Sequence, residues 1–237
     1  ISAVCVTHAH IDHTGKLPRL VREGFRGEIL STFPTKDFAE ILLLDSEHVL
    51  REEANREGAP SLYAKDDVME TVARWRGVEY RRPMTVGDFE IEFFDAGHVL
   101  GSSFIKITGP EKKTIVFSGD LGNYAEPMVK DTETIPEADY ALIESTYGNR
   151  VHEDAEKRKA LLEDVVEDTV KAGGTLMIPA FAMERTQELL YEMNDLVEHD
   201  RIPKIPVFVD SPLAIKLTSI YEKYARDPKY FDSGALT

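Results

Sequence analysis

Six consecutive residues, His8-Ala9-His10-Ile11-Asp12-His13, place three imidazoles and a carboxylate where an apolar stretch ends and a helix-like stretch begins. Extended residues two apart point the same way, so His8 and His10 can grip one cation, while Asp12 and His13 at the turn project toward a second position a few ångströms away. Read as a plain polar turn, Asp12 could cap the helix, but the three imidazoles beside it would have no task. Two later positions supply what this cluster lacks. His98 follows an alternating stretch in Asp95-Ala96-Gly97-His98, and Asp120 follows another in Phe117-Ser118-Gly119-Asp120-Leu121-Gly122. A glycine before each lets backbone and ligand approach closely. Alone each would be a surface loop residue; beside the first cluster both are candidate ligands for the same ions. The chemistry open to such a set is hydrolysis assisted by one or two divalent cations.

The elements that must position these residues follow from periodicity. An apolar strand over Ile1–Thr7 feeds the His/Asp turn, and a short helix over Gly15–Gly24 carries Leu17, Leu20 and Val21 on one face. Helical spacing continues over residues 35–57 and again over 66–76, the latter with Val68, Val72 and Trp75. After Pro83 the period becomes two. Phe89, Ile91 and Phe93 alternate with Glu90 and Glu92, and Ser103–Thr108, Thr114–Ser118 and Tyr140–Ile143 read as further strands. Beyond Gly148 the pattern predicts helix Glu153–Lys171, strand Thr175–Pro179, helix Met183–Val197, strand Pro206–Asp210 and helix Leu213–Ala225, a β-α alternation with a parallel sheet. A domain boundary is placed near Gly148.

Composition narrows the function classes. The 237 residues are 42% hydrophobic and 30% charged, and the longest aliphatic run, Ile41–Leu44, is far short of the ~20 residues of a membrane span. A net charge of −15 excludes binding of a polyanion by bulk positive field, so any such ligand needs local cations. The single cysteine, Cys5, cannot form an intramolecular disulfide and suits a reducing cytoplasm. The expectation is a cytoplasmic protein with no membrane partner.

The strings THAHIDHTG, DAGHVLGS, FSGDLG and IESTYG, in this order, resemble the metallo-β-lactamase fold and, within it, the β-CASP nucleases of RNA processing, over nearly the whole chain. The first string alone would suit thioesterases, lactonases or tRNA 3′-processing enzymes equally. What separates them lies beyond residue 140. Glu144-Ser145-Thr146-Tyr147-Gly148 is similar to the first β-CASP motif, and Ile178–Ala182 with Arg185, Gln187, Glu188 and Leu189, then Val209–Ala214, resemble the β-CASP insertion. A glutamate followed by Ser-Thr-Tyr-Gly resembles the RNA-cleaving branch rather than the DNA-repair branch.

The resemblance implies an α/β protein: an incomplete metallo-β-lactamase αββα sandwich over residues 1–148 and a partial β-CASP parallel α/β domain over 149–237. It implies two zinc ions, His8, His10 and His98 holding one, Asp12 and His13 the other, and Asp120 bridging them. Two such cations share a hydroxide and neutralise the phosphate in an in-line displacement. Asp12 and Glu144 are the candidate catalytic carboxylates, Glu144 by orientation and proton transfer. Arg150, Arg185 and Ser211 are the candidate contacts to RNA. His152 is another position that could touch substrate, whereas His48 and His199, set in acidic helices, read as solvated. The implied activity is a zinc-dependent ribonuclease, endonucleolytic and/or 5′-to-3′ exonucleolytic. The alternatives are a hydrolase of small thioesters or lactones, and a non-catalytic scaffold of an RNA-processing complex.

Some family features are not in these residues. The family has strands ahead of the HxHxDH strand and returning segments with two further histidines, so the second metal site here is short of one protein ligand, which leaves open whether this chain acts alone. Glu184 stands before Arg185, where the family usually has glycine. The chain reads as an internal portion of a longer nuclease. An exposed sheet edge is then expected, with homo-oligomerisation or strand exchange as its outcome.

Overall fold

Residues 3–78 run as strand, helix and strand twice over: β1 (Ala3–Cys5), α1 (Ile11–Thr14), α2 (Leu17–Arg22), β2 (Glu28–Thr32), α3 (Phe33–Glu57), α4 (Lys65–Ala73) and β3 (Trp75–Val78). The strands pair in parallel in the order β1-β2-β3, with Val4 opposite Ile29 and Leu30 opposite Arg76. Parallel neighbours need a crossover, which the helices supply. Helix α3 starts where the Thr32 side chain accepts from Thr35 N–H and ends at Gly58 in the left-handed region, the two ends a 25-residue helix needs. Strands β2 and β3 are additions to the sequence reading. In β2, Ile29, Leu30 and Ser31 are all buried, so no alternation marks it. Trp75 belongs to β3, where its indole N–H donates to Ser31 Oγ at 2.8 Å, rather than to the preceding helix.

The second sheet is β4 (Met84–Val86), β5 (Phe89–Asp95), β6 (Ser103–Thr108), β7 (Thr114–Phe117) and β8 (Tyr140–Leu142), antiparallel except for the parallel β7–β8 pair. Alternation in β5 and β6 gives it two apolar faces. Ile91, Phe93 and Ile105 pack with Leu30, Ala3, Cys5 and Val78 of the first sheet, and this is the sandwich core. On the outer face Phe94 and Phe104 stack at 5.0 Å, joined by Ala96, Val116, Leu121 and Ile135. Each fully buried large side chain stabilises by about 1.5–3 kcal/mol, and they hold β5, β6 and β7 as one rigid platform. Both sheets are thus fixed before any functional residue is placed.

The computed structural model describes residues 1–123, 128–150 and 155–231. One unit comprises residues 1–144 and the segment from Ile220 onward; the other is Ser145–Ser219. In the second unit, α5 (Ala155–Lys171) and α6 (Arg185–Glu198) bury Val166 and Leu196 with Ile202. Helix α7 (Pro212–Tyr224) begins there, and its last turn returns to the first unit, where Tyr221 meets Phe38 at 5.2 Å and the Tyr224 hydroxyl donates to Asp37 at 2.7 Å.

The segments expected as strands over 175–179 and 206–210 form no ladder among the described residues. A strand exists only by pairing, and among the described residues these runs have no ladder neighbour; Met177 and Phe208 within them are 85% and 87% exposed. The parallel pairing observed in the first sheet lies in residues 3–78 instead. No helix among the described residues is long and apolar enough to cross a membrane. His152 lies outside the described residues.

Candidate metal centre

Strand β1 delivers its load directly. His8 is fully buried, and its Nδ1 lies 3.2 Å from Thr7 Oγ1, which leaves Nε2 facing the cluster. His10 is the residue before α1 and His13 lies within it, so the turn from strand to helix swings the two imidazoles around His8, with ring centroids 4.8 and 4.1 Å from that ring. Thr14 fastens the turn by donating its hydroxyl to the Ala9 and His10 carbonyls at 3.2 and 3.0 Å.

His98 and Asp120 come from the platform. The Asp95 to Ser102 loop follows β5, and buried Ser102 Oγ accepts from the N–H groups of His98 and Val99 at 3.0 and 3.2 Å. Tyr80 donates to the Ser102 carbonyl at 2.7 Å, and Thr35 donates to the Gly101 carbonyl at 2.8 Å, so α3 grips this loop at its N-terminal end. The loop after β7 turns at Gly119, where φ is +56° and a Cβ would stand 2.6 Å from Thr7. Glycine is required there both for the left-handed conformation and for the approach to β1.

One ligand atom from each of His8, His10, His98 and Asp120 lies within 4.8 Å of the others. His98 Nε2 and His10 Nδ1 are 3.2 Å apart. The Asp120 carboxylate is divided between two directions. Oδ2 faces His8 Nε2 at 3.7 Å and His98 Nε2 at 3.8 Å, and Oδ1 faces His13 Nε2 at 3.4 Å. Asp12 Oδ2 approaches His13 Nε2 at 3.5 Å from the solvent side.

Electrostatics favour neutral imidazoles. Burial, and then the charges of neighbouring histidines, pushes His8 down to about 2; burial and then His98 push His10 down to about 4. Both therefore offer lone pairs at neutral pH. His8 Nε2 is buried without a hydrogen-bond partner, a state that costs about 1–3 kcal/mol unless an electrophile occupies that direction. Burial also pushes Asp95 up to about 7, against the Gly97 N–H bond that its carboxylate accepts. Cys5, pushed up to about 11 by burial, stays a thiol and is no nucleophile.

Glu144 sits beside the Asp120 loop rather than inside the cluster. Its Oε1 accepts from Leu121 N–H at 2.7 Å and its own N–H donates to Ser118 Oγ at 3.0 Å. The three candidate RNA contacts lie in the second unit with local partners. Arg150 lies over the Tyr147 ring at 5.7 Å, Arg185 pairs with Glu188 at 2.7 Å, and Ser211 Oγ accepts from Ala214 N–H at 3.1 Å. The residue before Arg185 is strained: Glu184 has φ 70° and ψ −74°. Such a conformation costs a non-glycine residue about 1–3 kcal/mol, and glycine relieves it at about 0.5–1 kcal/mol of chain entropy. Glu184→Gly is therefore expected to raise stability by about 1 kcal/mol in a denaturant titration. An unchanged or lower midpoint would contradict the strain argument.

An apolar trough of about 810 Å³ runs between β1 and β5–β7, walled by Val4, Val6, Phe89, Ile105 and Ile107, with His13 and Gly119 also in its lining. Sequence reasoning missed it, and missed Thr7, Thr14 and Ser102 as supports, because single hydroxyls that bond a neighbouring ring or turn backbone within five residues leave no periodic signal.

Comparison with known proteins adds the following. Residues 1–179 match the family model described as "Beta-lactamase superfamily domain", and residues 186–233 match the "Beta-Casp domain". A ribonuclease of Thermus thermophilus is 37% identical over 226 residues, 95% of this chain and 50% of the relative. A transcription termination factor of Methanosarcina mazei is 33% identical over 98% of this chain and 36% of its own length. The cleavage and polyadenylation specificity factor subunit 3-I of Arabidopsis thaliana is 30% identical, covering 94% and 32%. The chain thus spans half or less of the length of these relatives.

Proposed function

We propose that this chain, which belongs to the beta-lactamase superfamily, is the metal-binding portion of a zinc-dependent ribonuclease that hydrolyses RNA phosphodiester bonds. The observation that carries the reading is the divided Asp120 carboxylate, one oxygen toward His8 and His98 and the other toward His13. His8, His10 and His98 would hold one cation and Asp12 and His13 the other, with Asp120 between. The buried Nε2 of His8 and the neutral imidazoles fit that use. Zinc suits a donor set dominated by imidazole. When bound, such cations supply Lewis-acid polarisation of a phosphoryl oxygen and make water acidic enough to attack at neutral pH.

The protein's own groups do the rest. Thr7 Oγ1 orients His8, Ser102 Oγ fixes the backbone of His98, and Glu144 holds the Asp120 loop through Leu121 N–H. Arg185 and Arg150 offer cations for phosphates; Arg185 is exposed but its partner Glu188 is buried, so Arg185 would turn to a phosphate only by leaving that carboxylate without its ion pair. Support for RNA as substrate comes from the names of relatives, among them a ribonuclease.

The test is cleavage of end-labelled single-stranded RNA by the metal-loaded chain, beside measurement of bound metal. Cleavage abolished by chelator and restored by Zn²⁺ is expected. A second reading, hydrolysis of a small thioester or lactone, draws on the apolar trough that includes His13 in its wall. Brisk thioester turnover with intact RNA would favour it, and tight RNA binding without bound metal would favour a scaffold.

A further inference from the structure

His98 and Asp120 leave different strands, and their separation is fixed by a segment remote from both in sequence. The Gly122 N–H donates to the Ala96 carbonyl at 2.9 Å, laying the loop after β7 against the loop after β5. The approach leaves no room for a side chain: a Cβ on Gly122 would stand 1.6 Å from the Gly97 carbonyl oxygen. Gly97, at φ +61°, is pressed from the other side by residues 130–132, where a Cβ would stand 2.5 Å from Thr132 N. Thr132 closes the arrangement. Its hydroxyl donates to the Ala96 carbonyl at 2.8 Å and reaches the Gly122 carbonyl at 3.4 Å, one proton shared between the two loops. The next residue continues the clamp, Glu133 N–H donating to the Asp95 carbonyl at 3.0 Å.

We infer that Thr132 is a positioning residue of the candidate metal centre: its hydroxyl joins the His98 loop to the Asp120 loop and sets the distance between those two ligands. The inference rests on the metal reading above. It makes a distinction that packing alone does not make. A valine of the same shape at 132 fills the same space but leaves the Ala96 carbonyl with one donor and sets a methyl against two carbonyl oxygens. A serine keeps the shared proton and loses only a methyl.

Titration of Co²⁺ into the metal-free full chain, followed by visible absorption, reads both affinity and ligand geometry. Thr132→Val is expected to weaken Co²⁺ binding about 10- to 100-fold, the scale for losing a group that orients a ligand, and to change the absorption envelope. Thr132→Ser is expected to stay within about threefold of the wild type on the same scale. Should the valine variant fail to melt cooperatively, Thr132→Ala removes the hydroxyl without adding a methyl beside the carbonyls and carries the same comparison. Equal affinity and identical spectra for wild type and the hydroxyl-less variant overturn the inference, as does a serine variant as weak as they are. A wild-type chain that takes up no Co²⁺ overturns both this inference and the metal reading.

Discussion

Asp120→Ala is expected to lower RNA cleavage by about 10²- to 10³-fold, the scale for deleting one preorganised electrostatic group, and to reduce bound metal. The size follows from the geometry. Its two oxygens face three of the four histidines, so one substitution removes a donor from both candidate positions at once. The fold should be spared, because Asp120 lies on a loop with its side chain 34% exposed and outside both sheet cores. The check is metal content and cleavage rate on one preparation. A variant that loads the same metal and cleaves at the wild-type rate would end the mechanism.

Gly122→Ala is the largest expected effect on stability. The added methyl would meet the Gly97 carbonyl oxygen at 1.6 Å and its carbon at 2.2 Å, both backbone atoms that cannot rotate aside. The two loops must part, with loss of the Gly122 to Ala96 hydrogen bond. Overpacking of this kind costs about 3 kcal/mol, which in a domain of this size corresponds to a fall in Tm of roughly 6–12 °C. Metal affinity should fall with it, since the same movement separates His98 from Asp120. A melting temperature within about 2 °C of wild type would show that the loops tolerate the separation.

Much of the candidate site was legible because its first four members are local. His8, His10, Asp12 and His13 lie within one strand-to-helix turn, and the alternation of spacing is enough to aim them. His98 and Asp120 were legible through the glycine beside each, combined with the family resemblance. Strand β2 was not, since a strand buried on both faces shows no period. Nor was β3, whose Trp75 continues the apolar spacing of the preceding helix. The extended runs at 175–179 and 206–210 read as strands from composition alone, but a ladder depends on a neighbour, and no window of sequence contains one. Thr132 was invisible for a related reason: a hydroxyl bound to two distant carbonyls looks like any loop threonine.

Helix α3 is fastened to the His98 loop at one end only, through Thr35 and the Gly101 carbonyl. Its opposite end, Arg51 to Glu57, is exposed apart from Ala54 and ends at Gly58. Mutational drift can accumulate on those distal turns without disturbing the His98 loop, and a fluorophore attached at position 56 would give a bystander handle for following metal uptake by the chain.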